Sequence, residues 1–483
     1  MDVLAKSYFD KKSLGTFATF GFLTLLSFFV GFYFEKYLLL LIPFSIAYVF
    51  YIITDYKKIY YLLFASIPIS TEFFINNSLA TDLPAEPIII SLMFVWFFLL
   101  FTQKEIINKA ILNNSVITLL LINVVWIAVT MIFATDILIS FKFLLAKMWY
   151  IIVFVFLTLL IVKHLNHFKA IFWLMLMPSM FGIIYALVNH AASNFAFETI
   201  NFCVVPFFRN HVDYASFLVL FLPFLWVADK WYKKGSLMRL FINLNKVLFI
   251  VAIYFSYTRA AWVAIFSMII FYYIIRLRLL LPAVLLSVSV IILATTFLLY
   301  ENKYLDYAPD FRKTIYHDEL QDHLSSTYKL EDLSTAERFY RWVAAVKMIK
   351  EKPFMGFGPG NFFINYKKYT VSKFTTWVSG NPERSGVHNY FLKMAADQGL
   401  IGLLLFVAFT LSVLFKCQHV YHNAVDDAQK NWIKGIALSL VAIYVSLFFS
   451  DLIETHKVGS MFFFNIALLV GIDLSQKKQR LGS

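Results

Sequence analysis

The sequence contains little charge for its length. Asp, Glu, Lys and Arg make up 15% of its 483 residues, whereas 60% are hydrophobic and 19% are aromatic. A soluble globular protein cannot bury so large an apolar fraction, so the composition predicts a polytopic membrane protein. The formal net charge of +13 would indicate nucleic-acid binding in a soluble domain. Here the basic residues fall mostly in short loops, where membrane topology and anionic lipid explain them, and no nucleic-acid partner is expected.

Cysteines and cofactor-binding motifs are scarce or missing. Only Cys203 and Cys417 occur, and the topology predicted below places them on opposite faces of the membrane, which argues against a disulfide between them. The sequence has no pair of histidines or acids at metal-ligand spacing, no P-loop, no dinucleotide fingerprint and no Gly-x-Ser-x-Gly nucleophile elbow. We therefore expect no metal and no cofactor.

Apolar runs of spanning or near-spanning length fill most of the chain. They cover roughly residues 14–34, 37–53, 59–75, 86–102, 115–134, 139–162, 168–190, 213–229, 247–275, 279–299, 390–415, 434–450 and 458–474. The first run is too long for the core of a signal peptide and is interpreted as an uncleaved span. The connecting loops alternate between lysine-rich and lysine-poor, and the positive-inside rule makes the lysine-rich set, with the N-terminus, cytoplasmic.

The run 247–275 decides the orientation of the second half of the chain. It exceeds the roughly 20 residues that one span needs, and polar groups from Ser256 to Arg259 interrupt its middle. A single span would place the C-terminal Lys477 and Arg480 outside, whereas two helices that turn at 256–259 leave every basic cluster cytoplasmic. We therefore predict a hairpin and an all-α membrane protein of about 12–14 transmembrane helices, with both termini cytoplasmic.

One long polar segment interrupts this apolar chain. The predicted organisation is an N-terminal transmembrane bundle (1–299), a large outer loop (300–389), C-terminal transmembrane helices (390–475) and a cytoplasmic tail (476–483). A loop of this length between spans is usually either functional or disordered. Its patterned helix argues against disorder, so we expect the chemistry in the loop.

Residues 334–350 of the outer loop are predicted to form an amphipathic helix. Ser334 and Glu337 have the spacing of a capping box. An apolar stripe follows at helical spacing and comprises Phe339, Trp342, Val343, Val346 and Ile349. At about 100° per residue, Arg338 projects within this stripe and Arg341 lies at its edge. Arg338 therefore either closes a salt bridge to the membrane domain or contacts a polar ligand.

Two further arginines are predicted at the same outer surface. Arg209 precedes a span, and Arg259 lies at the tip of the predicted hairpin. Each either anchors the chain at lipid headgroups or converges with the loop arginines on an anion. Arginine suits the second role because its fork of donors matches the geometry of phosphate.

The end of the outer loop supplies the remaining candidates. Gly356, Gly358 and Gly360 form either a tight turn or a backbone nest that contacts an anion. His388 and Asn389 stand where the next span begins, and Asn389 is a possible loop contact. His388 is either a capping or interfacial residue or a base, since imidazole titrates near neutral pH and can remove a proton from a sugar hydroxyl.

The order of these motifs is more specific than any one of them. In chain order they are Tyr257-Thr258-Arg259-Ala260-Ala261-Trp262, Glu337-Arg338-x-x-Arg341-Trp342, Pro353-x-x-Gly356-x-Gly358-x-Gly360-x-Phe362, Val387-His388-Asn389-x-x-Leu392 and Gly399-x-x-Gly402. The pattern resembles the bacterial O-antigen ligase and O-antigen polymerase superfamily over roughly residues 205–405. Thr258-Arg259 departs from the Ser-Arg more frequent in that family, and the motifs do not separate ligases from polymerases.

The resemblance implies an inverting, metal-independent glycosyltransferase at the periplasmic face of the bacterial inner membrane, in lipopolysaccharide or surface-polysaccharide biosynthesis. Its glycan would move from undecaprenyl pyrophosphate to a sugar hydroxyl on lipid A core or another glycan. His388 would be the general base or would orient the acceptor, while Arg209, Arg259 and Arg338 would bind the pyrophosphate and stabilise its growing charge, with Arg341 a further candidate. The alternatives are a polymerase of the same superfamily, a transporter or flippase for lipid-linked sugars, and a non-catalytic assembly partner. Transporters often contain internal repeats, and none is found here.

Overall fold

The computed structural model describes residues 11–35, 39, 42–76, 79–103, 106, 108–301, 303, 333–371 and 386–481. Within these residues the chain is almost entirely helical, and ten helices are long and apolar enough to cross a membrane. The predicted all-α polytopic membrane fold is therefore confirmed. Of the predicted outer loop, residues 304–332 and 372–385 lie outside the described residues.

The elements of the first half are helices of very different length and one β-hairpin. They are α1 (Lys11–Tyr33), α2 (Ile42–Thr54), α3 (Tyr56–Ser66), β1 (Thr71–Asn76), β2 (Leu79–Leu83), α4 (Ala85–Thr102), α5 (Lys109–Leu112), α6 (Ser115–Ile132), α7 (Ile137–Ile151), α8 (Thr158–Ile161), α9 (Leu165–Ala192), α10 (Ile200–Val204) and α11 (His211–Asp229). A π-helical turn, Ile152–Leu157, joins α7 to α8, so that the two form one apolar span.

The apolar run 59–75 does not form a single helix, which corrects the expectation from its composition. Helix α3 ends at Ser66, a 3-10 turn follows, and β1 then pairs antiparallel with β2. Pro68 lies in the turn, where its missing N–H and its ring prevent the helix from continuing. The hairpin places Glu72 directly opposite Asp82.

The second half contains the elements that carry the candidate site. They are α12 (Leu237–Phe255), α13 (Arg259–Arg276), α14 (Leu280–Leu299), α15 (Leu333–Glu351), α16 (Phe362–Asn365), α17 (Tyr390–His422), α18 (Asp427–Ser446) and α19 (His456–Leu481). Two 3-10 turns, Tyr366–Tyr369 and Leu452–Glu454, follow α16 and precede α19.

The break predicted within the run 247–275 is confirmed. Helix α12 ends at Phe255 and α13 begins at Arg259. In the turn between them, the Ser256 hydroxyl donates to the carbonyl of Ile253 at 2.6 Å. The Thr258 hydroxyl donates to the carbonyl of His211 at 3.2 Å. The hairpin tip is therefore fixed against the start of α11.

Helix α11 lies at the centre of the bundle, and α14 lies at its periphery. In the most apolar window of α11, 83% of the residues are buried, compared with 6% in α14. Small residues on α18 let α11 approach closely: a Cβ at Gly435 would overlap Val227, and the Ser439 hydroxyl donates to the carbonyl of Leu220 at 2.8 Å. Small residues at this spacing are typical of helix contacts within membranes.

The helix predicted at 334–350 is confirmed as α15, but its most buried face does not coincide with the predicted apolar stripe. The stripe that begins at Phe339 is half-buried. The fully buried apolar face comprises Tyr340, Ala344, Ala345 and Met348, which pack against the segment after α15 and against α17. Arg341 lies on this face and is only 4% exposed, whereas Arg338 is half-buried. The small alanines allow the close approach of α17, and Glu337 neutralises the buried arginine.

Helix α17 bends near its start, and the bend receives the segment after α15. Gly399 has the non-helical values φ +73° and ψ 178°, and a Cβ there would overlap the carbonyl of Phe354. The N–H of Leu400 donates to the carbonyl of Pro353 at 2.7 Å. The short first arm of α17, before the bend, is thereby held under the loop that contains the glycine motif.

Candidate functional site

The three glycines after α15 form a turn whose N–H groups are used within the protein. Gly356, Gly358 and Gly360 have φ values of +67°, +101° and +78°, a region that a side chain would strain. Gly358 donates to the carbonyl of Asp397 at 2.8 Å and Gly360 to the Asp397 carboxylate at 3.0 Å, while Gly356 donates to the carbonyl of Lys352, directly after α15, at 3.2 Å. These contacts favour the tight-turn interpretation over an anion nest.

His388 stands at the junction between the loop and α17. Its backbone has a φ of +56°, in the left-handed region. Asn389 caps α17, because its side-chain oxygen accepts the N–H of Leu392 at 3.0 Å. The amide nitrogen of Asn389 donates to the carbonyl of Phe448 at 3.3 Å. The position of His388 is therefore set by the end of α18, and Asn389 has a structural task as a cap.

The His388 side chain lies among charges from two other parts of the chain: Glu337, Arg338 and Arg341 on α15, and Asp451 before α19. Burial, with smaller contributions from the two arginines, lowers the pKa of His388 to about 4, although Asp451 acts in the opposite direction. The imidazole is therefore neutral at pH 7 and able to accept a proton.

Arg341 connects the buried face of α15 to the segment that carries His388. Its guanidinium donates to the Glu337 carboxylate at 3.1 Å and to the carbonyl of Gly386 at 3.2 Å. A Cβ at Gly386 would overlap the carboxylate of Asp451, so this carboxylate packs directly against the Gly386 backbone. The structure thus brings Arg338, Arg341 and His388 together.

Arg209 and Arg259 lie in a second group, at the start of α11 and the tip of the α12–α13 hairpin. Arg209 pairs with Glu72 of β1, with 2.9 Å between its Nε and the carboxylate, and its side chain is 63% exposed. Arg259 begins α13 directly after Thr258, whose hydroxyl bonds to the carbonyl of His211. The contact between Thr258 and His211 therefore holds the two arginines in one neighbourhood.

A short loop before α19 connects the two groups. Asp451, beside His388, begins this loop, and Thr455 ends it. The Thr455 hydroxyl donates to the buried Asp213 carboxylate at 3.2 Å, and Asp213 lies in the first turn of α11, soon after Arg209. The loop 451–455 therefore spans from the His388 group to the Arg209 group.

A network of ionised side chains that was not predicted from the sequence lies close to His388. The Lys147 ammonium lies 2.7 and 2.8 Å from the two carboxylate oxygens of Glu454. The Tyr390 hydroxyl donates to the same carboxylate at 2.5 Å. Tyr390 follows His388 by two residues, and Glu454 belongs to the loop 451–455. The network therefore ties α7 to both segments that surround the histidine.

A second missed pair lies on the first arm of α17. The Lys393 ammonium is 3.0 Å from the Asp397 carboxylate, and both residues are buried. Lys393 and Lys147 contact the same ring, Phe143, at 5.7 and 5.2 Å from its centroid. A signal for these residues was available, because Lys147, Lys393 and Asp397 interrupt apolar runs, where ionisable side chains are rare and usually have a task.

Comparison with known protein families gives a match in the middle of the chain. Residues 244–407 match the family model described as O-antigen ligase. This segment includes Arg259, Arg338, Arg341, the glycine turn and His388, whereas Arg209 and the loop 451–455 lie outside it. No curated protein matches the chain.

Proposed function

Because residues 244–407 match the O-antigen ligase family model, we propose that the protein is an inverting glycosyltransferase that moves a glycan from undecaprenyl pyrophosphate to a sugar hydroxyl. One observation carries the proposal. Within the matched segment, a neutral, half-buried histidine lies beside two arginines on a helix that packs against it. This arrangement supplies a base for the hydroxyl and positive charge for the leaving group.

His388 acts as the general base in this proposal. Its neutral imidazole accepts the proton of the acceptor hydroxyl as the oxygen forms a bond to the anomeric carbon, and the bond from that carbon to the pyrophosphate breaks. A base with a pKa near 4 is correctly deprotonated but weak. A bound pyrophosphate beside it adds negative charge, which raises the pKa of His388 and strengthens the base when the donor is present.

The arginines act on the donor. Arg338 is half-buried next to His388 and binds the pyrophosphate, whose negative charge grows as the glycan leaves. Arg341 is held by Glu337 and Gly386, so we assign it mainly to positioning. Arg259 and Arg209 extend the positive surface toward the lipid-linked end of the donor. Arginine suits this role because its donors match phosphate oxygens in pairs.

We propose that this site faces the periplasm and that both termini are cytoplasmic. The lysine-rich loops support this orientation by the positive-inside rule. The domain organisation follows from it, with a transmembrane bundle (1–299), a periplasmic loop (300–389), C-terminal transmembrane helices (390–475) and a cytoplasmic tail (476–483). The acceptor would be lipid A core for a ligase and another repeat unit for a polymerase.

Glycan profiles of a deletion strain test the proposal. Complementation with wild type should restore transfer, whereas His388→Ala should reduce it by about 10²- to 10⁴-fold, the usual contribution of a positioned base. His419→Ala, at an exposed histidine of α17, is the matched control and should restore transfer fully.

The same profiles separate the two reactions of the superfamily. Long chains that accumulate on the lipid carrier in the deletion strain, with bare lipid A core, identify a ligase. Single repeat units on lipid A core identify a polymerase. If His388→Ala supports full transfer at an equal protein level, the assigned base is wrong, and an unchanged profile on deletion contradicts glycan transfer altogether.

A further inference from the structure

A polar cavity lies at the opposite end of the helices from His388. It has a volume of about 310 Å³ and lies where α11 ends and α18 begins. Helix α18 starts there at Asp427 and ends at Ser446, next to the residues that fix His388. Twenty residues of helix span about 30 Å, so the cavity and His388 are separated by about the thickness of the hydrocarbon layer.

Three lysines line this cavity, which we call the basic pocket: Lys230, Lys430 and Lys434. The ammonium groups of Lys230 and Lys434 both donate to the side-chain oxygen of Asn431, at 3.1 and 3.2 Å. Two cations that share one neutral acceptor are close neighbours and repel each other. Among the residues that the structure describes, no carboxylate forms an ion pair with any of the three lysines.

The nearby carboxylates leave this positive charge uncompensated. Asp229 precedes Lys230, but its carboxylate forms ion pairs with Arg239 at 2.8 Å and with Lys246 at 3.6 Å. Asp427 lines the pocket as a single acid against three lysines. The pocket therefore keeps a net positive charge that an anionic ligand would neutralise.

Aromatic walls fix the direction of the lysines. The Lys430 ammonium lies 5.1 Å from the ring centroid of Tyr421, and that of Lys434 lies 5.6 Å from Tyr272. These contacts lower the freedom of two long side chains before a ligand arrives. The volume is at the lower end of the range of small-molecule sites, about 300–1,000 Å³, and it accommodates a phosphate with the group attached to it.

We propose that the basic pocket binds a phosphate-bearing anion at the membrane surface, either the headgroup of an anionic phospholipid or a free phosphate. Basic pockets between transmembrane helices are typical sites for anionic lipid headgroups, and this one lies at the end of three apolar helices, α11, α13 and α17. The proposal is independent of glycan transfer, since the pocket lies at the other end of the bundle.

Lipid binding by the full-length protein, purified in a neutral detergent, tests this proposal. Phosphatidylglycerol, phosphatidylcholine and inorganic phosphate are titrated separately, and bound ligand is counted by native mass spectrometry. The test variant carries Lys230→Gln, Lys430→Gln and Lys434→Gln. Each lysine near a membrane surface is worth about a fivefold change in affinity for an anionic lipid, so we expect phosphatidylglycerol to bind about 100-fold more weakly.

A charge-matched control carries Lys163→Gln, Lys233→Gln and Lys234→Gln, three exposed lysines outside the pocket. If phosphatidylglycerol binds saturably to the wild type and the control but not to the test variant, the ligand of the pocket is a lipid headgroup. If inorganic phosphate shows the same pattern, the ligand is free phosphate. The proposal is overturned if neither ligand saturates or if both variants lose binding equally. Should the triple variant fail to fold, Lys434→Gln alone should weaken binding about fivefold, and Lys434→Arg should retain it.

Discussion

Positive charge is held differently at the two ends of the helices. Close to His388, two buried lysines each have their own carboxylate: Lys147 lies 2.7 Å from Glu454, and Lys393 lies 3.0 Å from Asp397. In the basic pocket, Lys230 and Lys434 share only the amide oxygen of Asn431. A buried cation without a partner is costly, whereas a cation at the membrane surface keeps its water. The paired lysines near His388 therefore stabilise the fold, whereas the lysines of the basic pocket remain available to an anion from outside the protein.

Two arginines of the candidate site, Arg341 and Arg338, differ in the same way. Arg341 is buried and held by Glu337 and by a backbone carbonyl. Arg338, three residues earlier on the same helix, is half-buried beside His388. The buried arginine fixes the helix, and the more accessible one is better placed to meet the donor. In the proposed mechanism, position on the face of α15 therefore separates Arg341, which positions the loop, from Arg338, which binds the donor.

The largest effect should come from removing one partner of a buried pair. Lys147→Met leaves the Glu454 carboxylate, which is 26% exposed, without its cation. We therefore expect a loss of stability at the lower end of the about 3–5 kcal/mol typical of buried pairs. Lys434→Met removes a lysine of the basic pocket that has no carboxylate partner, so we expect a change within about 0.5 kcal/mol. Thermal unfolding of the purified variants in neutral detergent measures both.

The double variant Lys147→Met with Glu454→Gln is the control for this comparison. It removes both charges and should regain most of the lost stability, because no buried ion is left alone. Equal destabilisation by Lys147→Met and Lys434→Met would contradict the distinction between the two ends.

Much of the fold could be predicted from the sequence, because a local run of apolar residues predicts each membrane span. The break at Ser256 to Arg259 and the helix 334–350 are also local patterns, and both are confirmed. The pairings of the site are not local. Lys147 and Glu454 are 307 positions apart, and Arg341 bonds to Gly386, 45 positions away. Such partners depend on how the helices pack, which a single sequence does not specify. For the same reason, the apolar stripe of α15 does not coincide with the face that is most buried.

The dependence of stability on pH compares the half-buried His388 with the exposed His419. The imidazole pKa is about 6.5 in the unfolded chain and about 4 for His388 in the folded protein. Between these values the unfolded state binds the proton, so stability should fall as the pH drops from about 6.5 to about 4. His388→Asn should lose less stability over this range than wild type. His419→Asn, at an exposed site, is the matched control. An unchanged slope in His388→Asn would show that the pKa of His388 is not lowered in the folded protein.

The smallest effect is expected at the exposed pair of Arg209 and Glu72. Exposed ion pairs contribute about 0–1 kcal/mol, so Glu72→Gln should barely change the unfolding temperature. If Arg209 serves the donor, its release from Glu72 should lower the apparent KM for the lipid-linked donor by up to about fivefold, whereas Arg209→Ala should raise it. Glu198→Gln, at an exposed acid nearby in the chain, should leave KM unchanged. A rise in KM with Glu72→Gln would instead mean that the carboxylate holds Arg209 in place, and the exposed pair would then act like the buried pairs beneath His388.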